Sequence, residues 1–252
     1  MKDSSFLKPT IIGIAIILTA FVLGAAFKNR NAALESISVT GLGSKDFESD
    51  EISWSGRFSS KAMLAKDAYS IIIADKEKVR NFFIAKGFKP QEFSFGGVIF
   101  EKSYRTITIE SKDNYNKTEQ IFDGYTATQS VSFFSRKNPE LMKKIENVID
   151  QTSELINSGI EFNANTVQYT YSDLPSLKHN LIEKGTQDAR ERAQKIVKTA
   201  GGDLGKLKDA SMGVFQITGK GSVEEDSYGG NNDTFSKSKT ARITVRLEYI
   251  LD

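Results

Sequence analysis

Chemistry has few residues to work with in this chain. One histidine, His179, stands between Lys178 and Asn180, and there is no cysteine among the 252 residues. A Ser-His-Asp hydrolase would have to be built around that single imidazole. Thiolate nucleophiles, disulfides, Fe–S clusters, Cys-based zinc sites and multi-His metal sites are all excluded. His179 falls early in a helical stretch, where it could act as a general base or pH sensor. The simpler reading is an exposed helix residue.

Carboxylates offer a second possibility. Glu224-Glu225-Asp226, with Asp233 nearby, could present oxygens to Ca²⁺, but the spacing fits no EF-hand loop and equally describes a solvated acidic loop. No carboxylate pair is placed for glycosidase work. Gly41-Leu42-Gly43 lacks the third glycine and the following helix start that phosphate binding needs. Gly96-Gly97 and Gly229-Gly230 read better as a bulge and a loop tip. Arg190 and Arg192 could hold an anion, or could pair with carboxylates along their own helix. Phe93, Phe95, Phe100 and Tyr104 could line an apolar groove or a subunit contact, or pack into a core. No residue is therefore assigned a catalytic, cofactor-binding or metal-binding role, and no cofactor is expected.

The N-terminal segment is more informative. Thr10 to Phe27 reads TIIGIAIILTAFVLGAAF, eighteen residues without a charge. As a helix it reaches about 27 Å, enough to cross a thin bilayer core. Three readings stand: an uncleaved signal anchor, a cleaved secretory signal with small residues at Gly24, Ala25 and Ala26, or a buried core helix. The anchor is the expectation, because the run exceeds a usual signal core and no face of it is polar. Charge is consistent with this. Lys2, Lys8, Lys28 and Arg30 against Asp3 leave residues 1–30 at +3, so the rest of the chain is near −1. A nearly neutral body has no electrostatic footprint for nucleic acid.

Beyond the anchor, period-two alternation predicts strands. Ile52, Trp54 and Phe58 share one face. Tyr125, Ala127, Val131 and Phe133 share another, as do Ala241, Ile243, Val245, Leu247 and Tyr249. Weaker strands are expected near 36–42, 91–101, 104–110, 160–171 and 208–218. Helices are expected over 61–86, 139–158 and 174–200. Ser59 or Ser60, Asn138 and Asp173 are their N-cap candidates, and Gly87, Gly159 and Gly201-Gly202 their stops. Ala68, Ile72, Val79 and Phe83 mark the buried stripe of the first helix. Ile182, Ala189, Ala193, Ile196 and Ala200 mark that of the last. The segment 218–239, rich in Gly, Ser and acids, reads as a mobile loop. The fold class is α+β: a mixed, largely antiparallel sheet with helices packed on one face, preceded by one N-terminal transmembrane helix. The domains are 1–30, the anchor, and 31–252, the body, read as one unit or two packed subdomains.

Three stretches resemble the SIMPL-domain family of bacterial envelope proteins. Ser38-Val39-Thr40-Gly41-Leu42-Gly43 is similar to its opening strand. Gly124-Tyr125-Thr126-Ala127-Thr128-Gln129-Ser130-Val131 is similar to its central strand. Ala189-Arg190-Glu191-Arg192-Ala193, with Ala200-Gly201-Gly202 and Leu204-Gly205, resembles its Ala- and Arg-rich helix and the strand that follows. Phe47-Glu48-Ser49-Asp50 stands where the family often has a Pro-Asp turn, and the region 101–122 is long and polar. The resemblance implies a location outside the cytoplasm, a role in the envelope or stress defence without an established reaction, and in some members ring- or cage-forming oligomers. The expected protein is thus non-enzymatic, single-pass in the inner membrane through residues 10–27, with its body in the periplasm. Its expected partners are further copies of itself. The alternative is a monomeric binding or adaptor module for a partner protein or apolar ligand.

Overall fold

The computed structural model describes residues 7–30, 35–109, 117–222 and 229–251, and within the first helix the side chains of residues 11–25. The chain divides into two compact units. The smaller holds residues 1–43, 182–213 and 243–252; the larger holds 44–181 and 214–242.

The larger unit is built on a six-stranded sheet. Its centre is the pair β2 (Glu51–Ala62) and β5 (Lys117–Arg136), which run antiparallel in unbroken register from Glu51 opposite Arg136 to Ala62 opposite Tyr125. β3 (Phe93–Phe95) and β4 (Ile99–Ile109) pair with β5, while β6 (Glu161–Ala164) and β7 (Gln168–Thr170) pair with β2, all antiparallel. Along β2 the predicted alternation holds: Ile52, Trp54 and Phe58 are buried, while Ser53 and Arg57 face water. That inner face is covered by helices α2 (Ala65–Ala85), α3 (Pro139–Ile149) and α4 (Ser153–Asn157), a 3-10 turn joining the last two. Ala68, Ile72, Val79 and Phe83 of α2 are fully buried there, as expected, and Asp75 lies buried among them. Phe83 sits at the centre of an aromatic cluster with Trp54, Phe88, Phe93 and Phe133.

Two helix starts differ in outcome. Asn138 caps α3 as expected, its side chain accepting from Leu141 N at 3.1 Å, with Pro139 next. Ser59 and Ser60 are not caps. The β2–β5 ladder continues to Ala62, so α2 starts at Ala65 behind Leu64, which makes no side-chain cap. Ser60 instead donates to Ala68 O at 2.8 Å. The stops at Gly87 and Gly159 are met, both glycines holding positive φ.

The smaller unit contains the first part of β1 (Ser36–Glu48), the last part of β10 (Ser238–Leu251), β8 (Leu204–Met212) and most of α5 (Leu174–Thr199). β8 pairs antiparallel with β10, and the cross-strand pairs Ser36–Glu248 and Ser38–Arg246 run in opposite order along β1 and β10. Val245, Leu247 and Tyr249 form its core with Val39, Ala189 and Ala193. Of the expected helix seam, Ala189 and Ala193 are buried, but Ile196 and Ala200 are exposed. The buried row runs Gly185, Ala189, Ala193, Val197, a strict four-residue spacing that carries the seam off Ile196. Two sheets thus stand where one was expected. β9 (Gln216–Gly219) and the start of β10 pair within the larger unit.

The first helix, α1, spans Leu7–Arg30. Its described side chains join neither core: Ile17 is 70% exposed and Phe21 76%. No helix among the described residues is long and apolar enough to cross a membrane. The eighteen-residue apolar run of the sequence extends past the described side chains at both ends.

Phe83→Ala would remove the ring that five other aromatic side chains pack against. It should cost about 3–5 kcal/mol of stability, read as a lower urea midpoint at unchanged slope.

Candidate functional site

The sequence candidates separate in space. His179 is exposed on α5, and Arg190 is exposed without an ion pair among the described residues. Phe93 is buried in the larger core and Phe95 packs against it, whereas Phe100 and Tyr104 lie open to solvent on β4. Gly96 and Gly97 form the link from β3 to β4, where Gln129 donates to Gly96 O at 2.7 Å. Glu224, Glu225 and Asp226 lie outside the described residues. Among the described residues no group of acidic or histidine side chains is arranged to hold a metal.

Gly41 has a structural task in the smaller unit. A Cβ added there would lie under 3.0 Å from Gly185 O and from Ala189 N and Cα. Strand β1 and helix α5 therefore touch backbone to backbone, and Gly185 and Ala189 are small for the same reason. Beside this contact Asp188 accepts the Leu42 N–H at 2.8 Å and the Arg192 guanidinium at 3.0 Å. Arg192, with Leu42 next, holds the Asp188 carboxyl below its ordinary range. Arg192 is thus occupied on its own helix by Asp188, the carboxylate that holds strand to helix. Glu191 accepts from Gln187 at 2.9 Å.

The larger unit sets Asp233, a sequence candidate, beside Lys239, which the sequence candidates omit. Lys239 is only 2% exposed, on the inward phase shared with Ala241. Its ammonium donates to the Asp233 carbonyl, and the Asp233 carboxylate lies 4.0 Å away. Burial pushes the Lys239 pKa down, against the pull of Asp233. Burial alone would raise Asp233, but Ser236 and the N–H groups of Phe235 and Ser236 outweigh it and leave its pKa low. The described end of the segment expected to be mobile is held down here. Tyr169 N donates to Thr234 O at 2.7 Å, Ser49 N to Lys237 O at 2.9 Å, and Asp233 N to Ile217 O at 3.0 Å.

Three further carboxylates of this unit make polar contacts. Glu51 binds Arg136 and accepts from Thr170 at 2.7 Å. Asp50 accepts from Ser172 N at 2.7 Å and from its hydroxyl at 2.6 Å. Glu146 accepts from Tyr169 at 3.0 Å and from Lys237 at 2.9 Å. Burial, helped by Glu146, raises the Tyr169 phenol to about 12. None of these groups forms a nucleophile–base–orienter chain. The arrangement ties loops to strands and offers polar groups for binding.

The chain can also be set beside known proteins. The family model described as "SIMPL: Protein of unknown function (DUF541)" matches residues 37–249. No curated protein matches.

Two predictions follow from these contacts. Gly41→Ala must separate β1 from α5 and should lower stability by about 2–4 kcal/mol, read by thermal melting. In an absorbance titration at alkaline pH one tyrosine should ionise near 12, and Tyr169→Phe should remove that step. Because the folded pKa lies above the ordinary 10, this phenol supports the fold below pH 10. That support should fade as pH rises from about 10 to about 12.

Proposed function

We propose that this chain, which belongs to the SIMPL family, is a non-enzymatic cell-envelope protein anchored in the inner membrane by its first helix, with residues 31–252 in the periplasm. The observation that carries the anchor is α1 itself. Apart from Thr19, whose hydroxyl donates to Ala15 O at 2.8 Å, its described side chains are apolar, and nearly all are exposed, on every face. In water such a helix would leave a large apolar surface uncovered, whereas lipid tails cover it without distinction of face. Lys28 and Arg30 follow the apolar run in the sequence, where long cationic side chains can reach the headgroups.

The anchored copies self-assemble into a ring or cage, with a role in the envelope or its stress defence. Confinement to a membrane raises the effective concentration of neighbouring bodies, so even weak contacts suffice. A second reading, a monomeric adaptor for a partner protein or apolar ligand, draws on the β4–β5 ribbon. Ile99, Phe100, Tyr104 and Phe122 are exposed along it, and the Tyr104 and Phe122 rings lie 5.9 Å apart.

Alkaline carbonate washing should leave the full chain in the membrane pellet, and replacement of residues 1–30 by a cleavable secretory signal should release the body to the soluble periplasmic fraction. Recovery of the full chain in the cytosol would overturn the anchor. In light scattering, detergent-extracted protein should have several times the monomer mass. A monomer at micromolar concentration favours the adaptor reading.

A further inference from the structure

We infer that the free edge of β4 pairs antiparallel with the β4 edge of a second copy of this chain, about a twofold axis at Ser103. The inference rests on the self-assembly reading and names the contact that carries it.

The edge is long and open. β4 runs from Ile99 to Ile109, pairs with β5 on one side, and among the described residues pairs with no strand on the other. Every residue of it is exposed except Ser103 and Ile107, which are half-buried. β2 ends at Ala62 opposite Tyr125, so from Tyr104–Phe122 to Ile109–Lys117 the ribbon is two strands wide. Two strands alone are marginal in water, and the ribbon of a second copy would bring the sheet there to four. Proteins commonly protect such an edge with a proline, a bulge or a very short strand. β4 has none of these. The register shift of the ribbon puts its extra residue on β5, where Gly124 holds a φ of 104°.

β4 does carry three charges, and their order identifies the occupant. Side chains alternate, so Ile99, Glu101, Ser103, Arg105 and Ile107 share one face. That set reads the same in both directions with its charges exchanged. In an antiparallel pair centred on Ser103, Glu101 meets Arg105 of the second copy, Ile99 meets Ile107, and Ser103 meets itself. On the other face Lys102 meets Tyr104 of the second copy and Phe100 meets Thr106. Each charge then faces its opposite or an aromatic ring, and symmetry makes every such pair twice. Moving the axis one residue toward Phe100 would set Lys102 against Lys102. Moving it one residue toward Arg105 would set Glu101 against Ile107 and Arg105 against Ser103. A strand of unrelated sequence would have to match this order by chance, whereas a second copy matches it by symmetry.

The charges are available for this pairing. Among the described residues Glu101, Lys102 and Arg105 form no ion pair. Asp123, whose carboxyl Lys61 and more weakly Arg105 hold below its ordinary range, has its ion pair with Lys61. The contact is isologous and closes on itself, so a ring or cage would use it to join copies in pairs and would need a second contact elsewhere.

The test is light scattering and crosslinking of the detergent-extracted full chain. Glu101→Arg and Arg105→Glu should each lower the particle mass to half or less, because each sets like charges opposite one another at two places. Combined in one chain they exchange the charges and should restore the mass, which a folding defect would not allow. The chain has no cysteine, so Ser103→Cys supplies one thiol per copy. A short bis-maleimide should convert that variant to covalent dimer. Thr106→Cys should stay uncrosslinked, because its counterpart on the second copy would lie about 20 Å away. A wild-type chain that scatters as a monomer would overturn assembly and this contact together. Three results would leave assembly standing and overturn the contact: an oligomer whose mass both single variants leave unchanged, a double variant that stays dissociated, or crosslinking at Thr106→Cys equal to that at Ser103→Cys.

Discussion

The larger unit depends on one ladder. β2 and β5 pair without a break from Glu51–Arg136 to Ala62–Tyr125, and every other strand of that sheet attaches to one of the two. This register decides which side chains point inward, because side chains alternate along a strand and a one-residue slip would reverse all of them. Trp54, Phe58, Val131 and Phe133 then make a continuous apolar floor for α2, α3 and α4. The ladder also fixes where the polar contacts fall. Glu51 and Arg136 lie opposite each other at its end, next to the turns that carry Asp50 and Lys137.

Much of this scaffold was legible in the residues. Alternation located β2, β5 and β10, and the helix stops at Gly87, Gly159 and Gly201 stand where left-handed backbone needs glycine. The errors have physical causes. A serine before an apolar periodic run looks like a cap, but strand pairing with β5 claimed Ser59 and Ser60 first. The expected seam of α5 followed hydrophobicity to Ile196. The strand against the helix selects instead for small residues at four-residue intervals, which turns Ile196 outward. Two sheets could not be told from one because alternation reports a strand's faces and not its neighbours.

The polar groups were the least legible. Lys239 occupies the inward phase of β10 and carried the one available signal, a cation where the pattern calls for an apolar side chain. Tyr169 and Glu146 gave none, since their contact is a property of tertiary surroundings. In the other direction, Gly41-Leu42-Gly43 lacks the pattern of a phosphate loop, and the backbone contact of Gly41 with Gly185 and Ala189 supplies the reason for its first glycine. The same contact gives a steric reason for the glycine in the motif that resembles the family's opening strand, and for the small residue at Ala189 in its helix.

Lys239 also bears on how the last strand finds its place. From Ala241 to Tyr249 apolar and polar residues alternate so regularly that sliding β10 by two positions would return each apolar side chain to the inner face. Hydrophobicity is therefore blind to that error. The ammonium of Lys239 is not, because a slide would take it from the Asp233 carbonyl and strand it among apolar neighbours. The buried charge acts as an index mark on an otherwise repeating scale, and it sets the strand's position to the residue.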